Sequence, residues 1–113
     1  MSPLDHLNAH YDAMPPVRAM QVRAVHYDGQ VLRLQAPLAS NVNDKACAFG
    51  GSLVSLMTLA GWGLVTLKLM EAGIQAEVYV ADSQVRYLAP LYADLVAEAR
   101  LGEGTDWAAV LQA

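Results

Sequence analysis

A long uncharged stretch runs through the middle of the chain, from Ala46 to Leu67. This stretch restricts the folds that the chain can adopt. Apolar residues fall on every side of a helix drawn through this stretch, which predicts a buried helix or a membrane span. About 20 apolar residues would be enough to cross a bilayer. Hydroxyl residues and glycines dilute the hydrophobicity, at Ser52, Ser55, Thr58, Thr66, Gly50, Gly51, Gly61 and Gly63. The dilution and the amphipathic flanking segments favour the buried helix.

The segments on both sides of this helix alternate like amphipathic strands. Met20–Ala24 and Leu32–Ala36 alternate apolar and polar residues, and Asp28-Gly29 between them predicts a hairpin turn with both residues at positive φ. Two further strands are predicted at Ile74–Leu88 and about Ala93–Leu101. An apolar sheet face needs a cover, so we expect an α+β domain whose antiparallel sheet wraps around the central helix.

Caps and breakers predict the remaining boundaries. Ser2-Pro3 is typical of a helix start, and Met14-Pro15-Pro16 is expected to end that first helix. Gly73 is the expected C-cap of the central helix. After a turn at Gly102–Gly104, Thr105 would begin a last helix, in which the sequence stops. Four strands barely surround a helix of about 33 Å. We therefore expect one domain over residues 1–113 that lacks the last strands of its fold.

Composition limits the partners and the compartment. The chain is 55% apolar and 16% charged, which suggests that self-association hides part of its surface. A net charge of −4 without a basic run argues against nucleic acid as a partner. A single cysteine, Cys47, and an N-terminus unlike a signal peptide fit the cytoplasm. Three scattered histidines and one cysteine show no spacing typical of a metal site, so no metal or cofactor is expected.

Five stretches resemble the hotdog-fold thioesterases, and in particular a thioesterase family whose domain occurs alone or fused behind an acetyltransferase domain. These stretches are Pro37–Lys45, Ala48–Leu53, Leu59–Gly63, Ala81–Ser83 and Arg86–Pro90. The resemblance implies a sheet wrapped around one long helix, pairing of two such domains, and action on acyl thioesters.

The chain also departs from the pattern of that superfamily. Many hotdog enzymes carry a histidine just before the Gly-Gly pair, where this chain has Phe49. Many carry a catalytic carboxylate one or two turns into the helix, whereas Leu56–Trp62 contains none. Hotdog domains also complete their sheet with further strands, which are not predicted in residues 1–113.

Thioester hydrolysis needs donors for an oxyanion, an activated water and a slot for the acyl-carrier tail. The backbone N–H groups of Gly51 and Ser52 at the start of the helix would supply the donors, with Gly50 and Phe49 beside the substrate. The alternative is that the two glycines only allow the helix start to pack closely. The serine hydroxyls show no partner typical of a nucleophile.

Two acids, Asp44 and Asp82, are candidates for activating water. Asp44 lies in a loop, where a solvated or turn-stabilising role is more typical. The predicted base is Asp82, which shares a strand face with Val78 and Val80. A buried carboxylate is costly unless it is paired, so an ion pair with Arg86 is the structural alternative. Asn43 would orient the water or the substrate. The predicted substrate-binding residues are Asn41, Asp44, Lys45, Phe49, Gly50 and Arg86, with the cationic side chains meeting the phosphates of coenzyme A.

The sequence thus predicts an acyl thioesterase that acts on an acyl-coenzyme A or acyl-carrier thioester, as a homodimer or a dimer of dimers, without a membrane partner. Two alternatives remain open. One is a non-catalytic acyl-binding or assembly module, which the missing histidine and carboxylate favour. The other is a hotdog dehydratase, which would need a histidine near the helix.

Overall fold

The computed structural model describes residues 2–80 and 83–101. The Gly102–Gly104 turn, the helix predicted at Thr105, and Asp82 lie outside these residues. The described elements, in chain order, are α1 (Pro3–Ala13), α2 (Pro15–Met20), β1 (Arg23–Tyr27), β2 (Val31–Ala36), a 3-10 turn (Leu38–Ser40), α3 (Gly50–Glu71) and β3 (Leu95–Arg100).

The three strands form one antiparallel sheet in the order β1-β2-β3. In the centre of the sheet, Leu34 pairs with Ala24 on one side and with Ala97 on the other. The alternation predicted for β2 and β3 is confirmed, because one face of each strand is buried and the other is not. The buried face packs against α3, which makes the domain α+β as predicted.

The burial of α3 is one-sided among the described residues, which corrects the expectation of a helix buried all round. The face toward the sheet buries Ser52, Leu56, Ala60, Gly63, Leu64 and Leu67. On the other side, Met57 is 46% exposed and Met70 is 44% exposed. By length and composition α3 could cross a membrane, and 28% of its most apolar window is buried. Its buried face packs on an amphipathic sheet, as a core helix does.

The C-terminus of α3 follows the prediction for Gly73. The φ of Gly73 is +71°, a conformation that favours glycine. The N–H of Gly73 donates to the Met70 carbonyl at 3.0 Å, and the N–H of Ile74 donates to the Leu69 carbonyl at 2.9 Å. These two bonds form the Schellman motif that closes a helix.

The region after α1 corrects two sequence expectations. Met14 does end α1, but Pro15 and Pro16 begin a second helix, α2, instead of leading directly into a strand. Proline suits the first turn of a helix because its missing N–H has no intrahelical partner there. As a result Met20 lies in α2, and the first strand begins at Arg23.

The hairpin turn between β1 and β2 forms where predicted but in another conformation. Only Gly29 has a positive φ, at +92°. The Asp28 carboxylate accepts N–H bonds from Gln30 at 2.9 Å and Val31 at 2.8 Å. These N–H groups, with His26 nearby, lower the pKa of Asp28 to about 2.

The predicted strand at 74–88 is wrong for the described residues, which form no ladder there. The segment instead runs back along α3. The Trp62 indole N–H donates to the Val78 carbonyl at 3.0 Å, and Tyr87 contacts Gly50 at the other end of the helix. Alternation predicts which side chains share a face, but a strand also needs a partner for its backbone. No described strand lies beside this segment.

Candidate active site at the start of helix α3

The loop 41–49 presents the start of α3 and is held by its own backbone. Val42 and Ala48 form a β-bridge, and the N–H of Asn43 donates to the Cys47 carbonyl at 2.8 Å. Ala46 takes a φ of +62° to complete the turn. The N–H of Ala48 donates to the Leu91 carbonyl at 2.8 Å, which ties the loop to the chain just before β3.

Asn43 uses its side chain within this loop. Its Oδ1 accepts from the N–H of Lys45 at 2.8 Å and from the N–H of Cys47 at 3.2 Å, and its Nδ2 lies 3.2 Å from Cys47 Sγ. These bonds hold the shape of the loop, and the predicted role of Asn43 in orienting water or substrate stays a prediction.

Asn41 anchors the other side of the loop. It is 3% exposed, and its Nδ2 donates to the carbonyls of Met20 at 2.9 Å and Pro37 at 2.8 Å. Its own carbonyl accepts the N–H of Phe49 at 2.8 Å, which fixes the residue before the helix. The buried Asn41 Oδ1 has no partner among the described residues. The hydrogen bonds of Asn41 therefore hold the loop in place, and its predicted contact with substrate stays a prediction.

The first turn of α3 offers backbone donors. Phe49 is the N-cap, and its side chain provides no capping bond. The N–H of Leu53 donates to the Phe49 carbonyl at 3.1 Å, while those of Gly50, Gly51 and Ser52 have no partner among the described residues. The first turn carries no acidic residue. These three N–H groups lie at the positive end of the helix dipole. Both features stabilise a negative charge, so this turn can serve as an oxyanion site.

Two aromatic rings lie over the glycines of this turn. A Cβ on Gly50 would lie 3.1 Å from Tyr87 Cε1, and a Cβ on Gly51 would lie 2.5 Å from Phe49 Cε2. Gly51 itself is exposed. Both glycines therefore allow a close approach between a ring and the helix backbone. Tyr87 was not predicted as a site residue, because no local pattern links it to a glycine 37 positions earlier.

An apolar cleft of about 480 Å³ runs beside α3, between the helix and the segment that returns along it. The lining side chains on the helix include Met57, Val65 and Trp62. Val78 and Val85 line the opposite wall. No Asp or Glu lines the cleft among the described residues. The cleft can therefore hold an apolar chain, but none of its described lining residues could activate a water.

Trp62 separates this cleft from a second cavity of about 720 Å³ toward the end of α3. Its side chain lines both spaces, and its indole N–H bonds to Val78 across the gap. Tyr79 also lines both, and its hydroxyl donates to Glu77 Oε2 at 2.7 Å, a bond that raises the pKa of Tyr79. Trp62, Val78 and Tyr79 therefore form the boundary between the two spaces.

The charged residues predicted for the site stand in solvent. Asp44 and Lys45 are 85% and 77% exposed at their side chains and lie 3.5 Å apart. Arg86 is exposed in the returning segment, one residue before Tyr87. Asp82 lies outside the described residues, so its predicted role and its predicted pairing with Arg86 stay predictions. Phe49, Gly50, Gly51 and Ser52, which are consecutive in sequence, form the helix start. The hydrogen bond from Phe49 N–H to the Asn41 carbonyl joins this helix start to the loop.

A family model described as "Putative thioesterase (yiiD_Cterm)" matches residues 5–113, nearly the whole chain. The chain belongs to this thioesterase family. The match includes the loop 41–49, the start of α3 and the returning segment.

Two solved structures share the fold. One is a putative thioesterase from Shewanella oneidensis, with a TM-score of 0.84 and 31% identity over 87% of this chain and 73% of that one. The other is a protein of unknown function from Chlorobaculum tepidum TLS, with a TM-score of 0.90 and 34% identity over 96% of this chain and 67% of that one. The hotdog fold predicted from the sequence is confirmed, and the family and the first neighbour point to thioesterase activity.

Proposed function

We propose that the chain hydrolyses acyl thioesters of coenzyme A or of an acyl carrier. One observation supports this most directly. The N–H groups of Gly50, Gly51 and Ser52 at the start of α3 have no partner among the described residues. Aromatic rings lie against Gly50 and Gly51, and an apolar cleft runs beside the same helix. Met57, where the cleft begins on the helix, is six residues after Gly51, a rise of about 9 Å along the axis. A thioester carbonyl at the helix start could thus extend its acyl chain into the cleft.

In this mechanism the thioester carbonyl oxygen accepts the N–H groups of Gly51 and Ser52. Water adds to the carbonyl carbon, and the negative charge that develops on the oxygen is stabilised by these donors and by the helix dipole. Asp82 would take the proton from the attacking water. When the tetrahedral intermediate collapses, the carbon–sulfur bond breaks, and the thiolate leaves and takes up a proton.

The carrier end of the substrate would lie on the solvent side of the helix start. Lys45 and Arg86 are exposed cations that can meet phosphates there, and Asp44 lies beside Lys45. Phe49 and Gly50 would contact the pantetheine arm, and Asn41 and Asn43 would keep the loop in shape. The protein would act in the cytoplasm as a homodimer or a dimer of dimers, without a cofactor.

A second candidate is an acyl-binding or assembly module without catalysis. The absence of an acidic residue from the described lining of the cleft favours it. Both candidates use the same cleft, and they differ in whether a water is activated.

A hydrolysis screen separates these two candidates. The full chain is offered short, medium, long and aromatic acyl-coenzyme A substrates and acyl-carrier conjugates, with and without a chelator. We expect release of free thiol from at least one substrate, at a rate that the chelator does not change. A folded preparation that binds an acyl-coenzyme A but releases no thiol would favour the binding module.

A further inference from the structure

Two histidines of α1 place their ring nitrogens side by side. His6 and His10 are four residues apart on one face of the helix, and their Nε2 atoms lie 3.2 Å apart. The ring centroids are 4.7 Å apart, and the planes meet at 66°. The scattered histidines predicted no metal site from the sequence, yet this pair has the i, i+4 spacing with which helices present two histidines to one metal ion.

The helix that carries this pair is firmly placed. Ser2 and Asp5 form a capping box at its start. Leu7 and Tyr11, each one residue after a histidine, are fully buried, and the Tyr11 hydroxyl donates to the Leu59 carbonyl at 3.1 Å. The backbone spacing of the two histidines is therefore set by the core and needs no rearrangement on binding.

The separation of the two nitrogens fits one shared ion. Two imidazole ligands at 2.0–2.1 Å from a tetrahedral zinc ion lie about 3.3 Å apart. We propose that His6 and His10 form a two-histidine site for a divalent transition-metal ion. Affinity should follow the order of imidazole complexes, with Cu²⁺ bound more tightly than Ni²⁺ or Zn²⁺.

The surroundings leave coordination positions open. No third His, Cys, Asp or Glu joins the pair in the part of the chain that the structure describes. Both histidines border the 720 Å³ cavity at the end of α3. The remaining positions of the ion would therefore go to water or to a small ligand that enters this cavity, and the affinity should be below that of a closed structural site.

Trp62 provides a reporter for the bound ion. The His10 ring meets the indole edge-on, with centroids 5.7 Å apart. A paramagnetic Cu²⁺ ion on the pair would lie close to this indole and quench its fluorescence. The only other tryptophan is Trp107, so a Trp107→Phe background makes the signal specific for Trp62.

The test is a titration of the full chain, free of any histidine tag, with copper chloride in this background. We expect saturable quenching at one ion per chain. His6→Gln and His10→Gln should each weaken binding at least tenfold. His26→Gln, which removes the exposed histidine of β1, is the matched control and should leave the titration unchanged.

The competing explanation is a hydrogen-bonded pair only, in which one Nε2–H donates to the other ring. Quenching that does not saturate, or that His26→Gln reduces as much as the α1 variants do, would overturn the metal site. Zinc chloride gives a second reading, because an ion bound only by the folded helix raises the melting temperature. This rise should appear in the wild type and be lost in His6→Gln and His10→Gln, whose metal-free melting temperatures show whether they fold.

Discussion

The proposed chemistry depends on the backbone N–H groups of Gly51 and Ser52 at the start of α3. Their direction is fixed by the helix, and their freedom follows from the lack of a side-chain cap at Phe49. Gly50 and Gly51 let the Tyr87 and Phe49 rings approach the backbone. The donors could be predicted from the Gly-Gly-Ser sequence before an apolar run, because that pattern is local.

Other features of the site had no local signal. The contact of Tyr87 with Gly50 joins residues that are far apart in sequence, and the use of the Asn43 side chain depends on how the loop closes. The hydrogen bonds of the buried Asn41 to Met20 and Pro37 depend on the same closure. Sequence patterns predict residue types at a site more readily than they predict the partners of each polar atom.

The first prediction concerns Asp82. Asp82→Asn keeps the volume and the hydrogen-bonding reach of the side chain but removes its basicity. If Asp82 activates water, turnover should fall by roughly 100-fold or more, with substrate binding and melting temperature little changed. Steady-state kinetics and thermal melts measure both effects. Asp12→Asn is the control, because it changes an exposed carboxylate of α1 that pairs with Arg23, and its turnover should stay near that of the wild type.

Two other results would assign Asp82 differently. A large fall in melting temperature would indicate a structural ion pair, for which Arg86 is the predicted partner. Full turnover in a folded Asp82→Asn variant would remove it as the base and leave the loop residue Asp44 as the next acid to test.

Helix α3 organises the domain through two different faces. One face of the helix packs on the sheet. The opposite face borders the cleft and the returning segment. The sequence predicts the alternation of buried and exposed residues in β2 and β3, because that pattern is local. It also predicts the two ends of α3, because caps determine them. The helix α2 was missed because prolines that end one helix also suit the first turn of the next. The state of segment 74–88 could not be predicted, because ladder formation depends on a neighbouring strand.

Alanine substitutions at two glycines of α3 should have opposite effects on stability. A Cβ on Gly63 would lie 2.6 Å from Tyr11 Oη and 2.9 Å from Leu32 Cδ2. A Cβ on Gly61 meets no described atom within 4 Å. Alanine gains about 1 kcal/mol over glycine in a helix interior, whereas overpacking a core costs about 1–3 kcal/mol.

Gly63→Ala should therefore lower the free energy of unfolding, and Gly61→Ala should raise it. Denaturant unfolding of both variants measures the difference. Equal effects from the two substitutions would show that the contact of α1 with α3 is looser than described.

We expect Trp62 to limit the length of the acyl chain that the cleft can hold. Trp62→Ala removes the ring between the two cavities and its bond to Val78, so longer acyl chains should become substrates. The profile of kcat/KM against chain length measures this shift. Met57→Ala is the control, because it enlarges the cleft without joining it to the second cavity. The same shift in both variants, or none in Trp62→Ala, would contradict a boundary at Trp62.

The whole molecule is a compact globule with an apolar surface on one side of α3. Its Cα radius of gyration is 14.6 Å, slightly above the roughly 13 Å expected for this length. Large apolar side chains are exposed on α3 and its N-cap and in the returning segment, at Phe49, Met57, Tyr79, Val80, Tyr87 and Leu88. The high apolar fraction of the sequence predicts an exposed apolar surface. Its position could not be predicted, because it depends on which strands cover α3.

This surface predicts association of at least two chains. Light scattering at micromolar concentration should give at least twice the chain mass of 12.1 kDa. Leu88→Glu, at a side chain that is 84% exposed, should lower the measured mass if this segment lies in the interface. A wild-type mass of one chain would contradict the association.

The central claim is that backbone N–H groups at the start of α3 stabilise the oxyanion. Gly51→Pro removes one donor at a position where proline is tolerated, in the first turn of the helix. Gly51→Ala keeps this donor and adds a Cβ against the same Phe49 ring, so it is the matched control.

The decisive measurement is kcat/KM of these two variants on the best substrate of the hydrolysis screen, with melting temperatures to show that both fold. We predict that Gly51→Pro is slower than Gly51→Ala by roughly 100-fold or more, the usual effect of losing one oxyanion donor. Equal kcat/KM values in two folded variants would contradict an oxyanion site at Gly51.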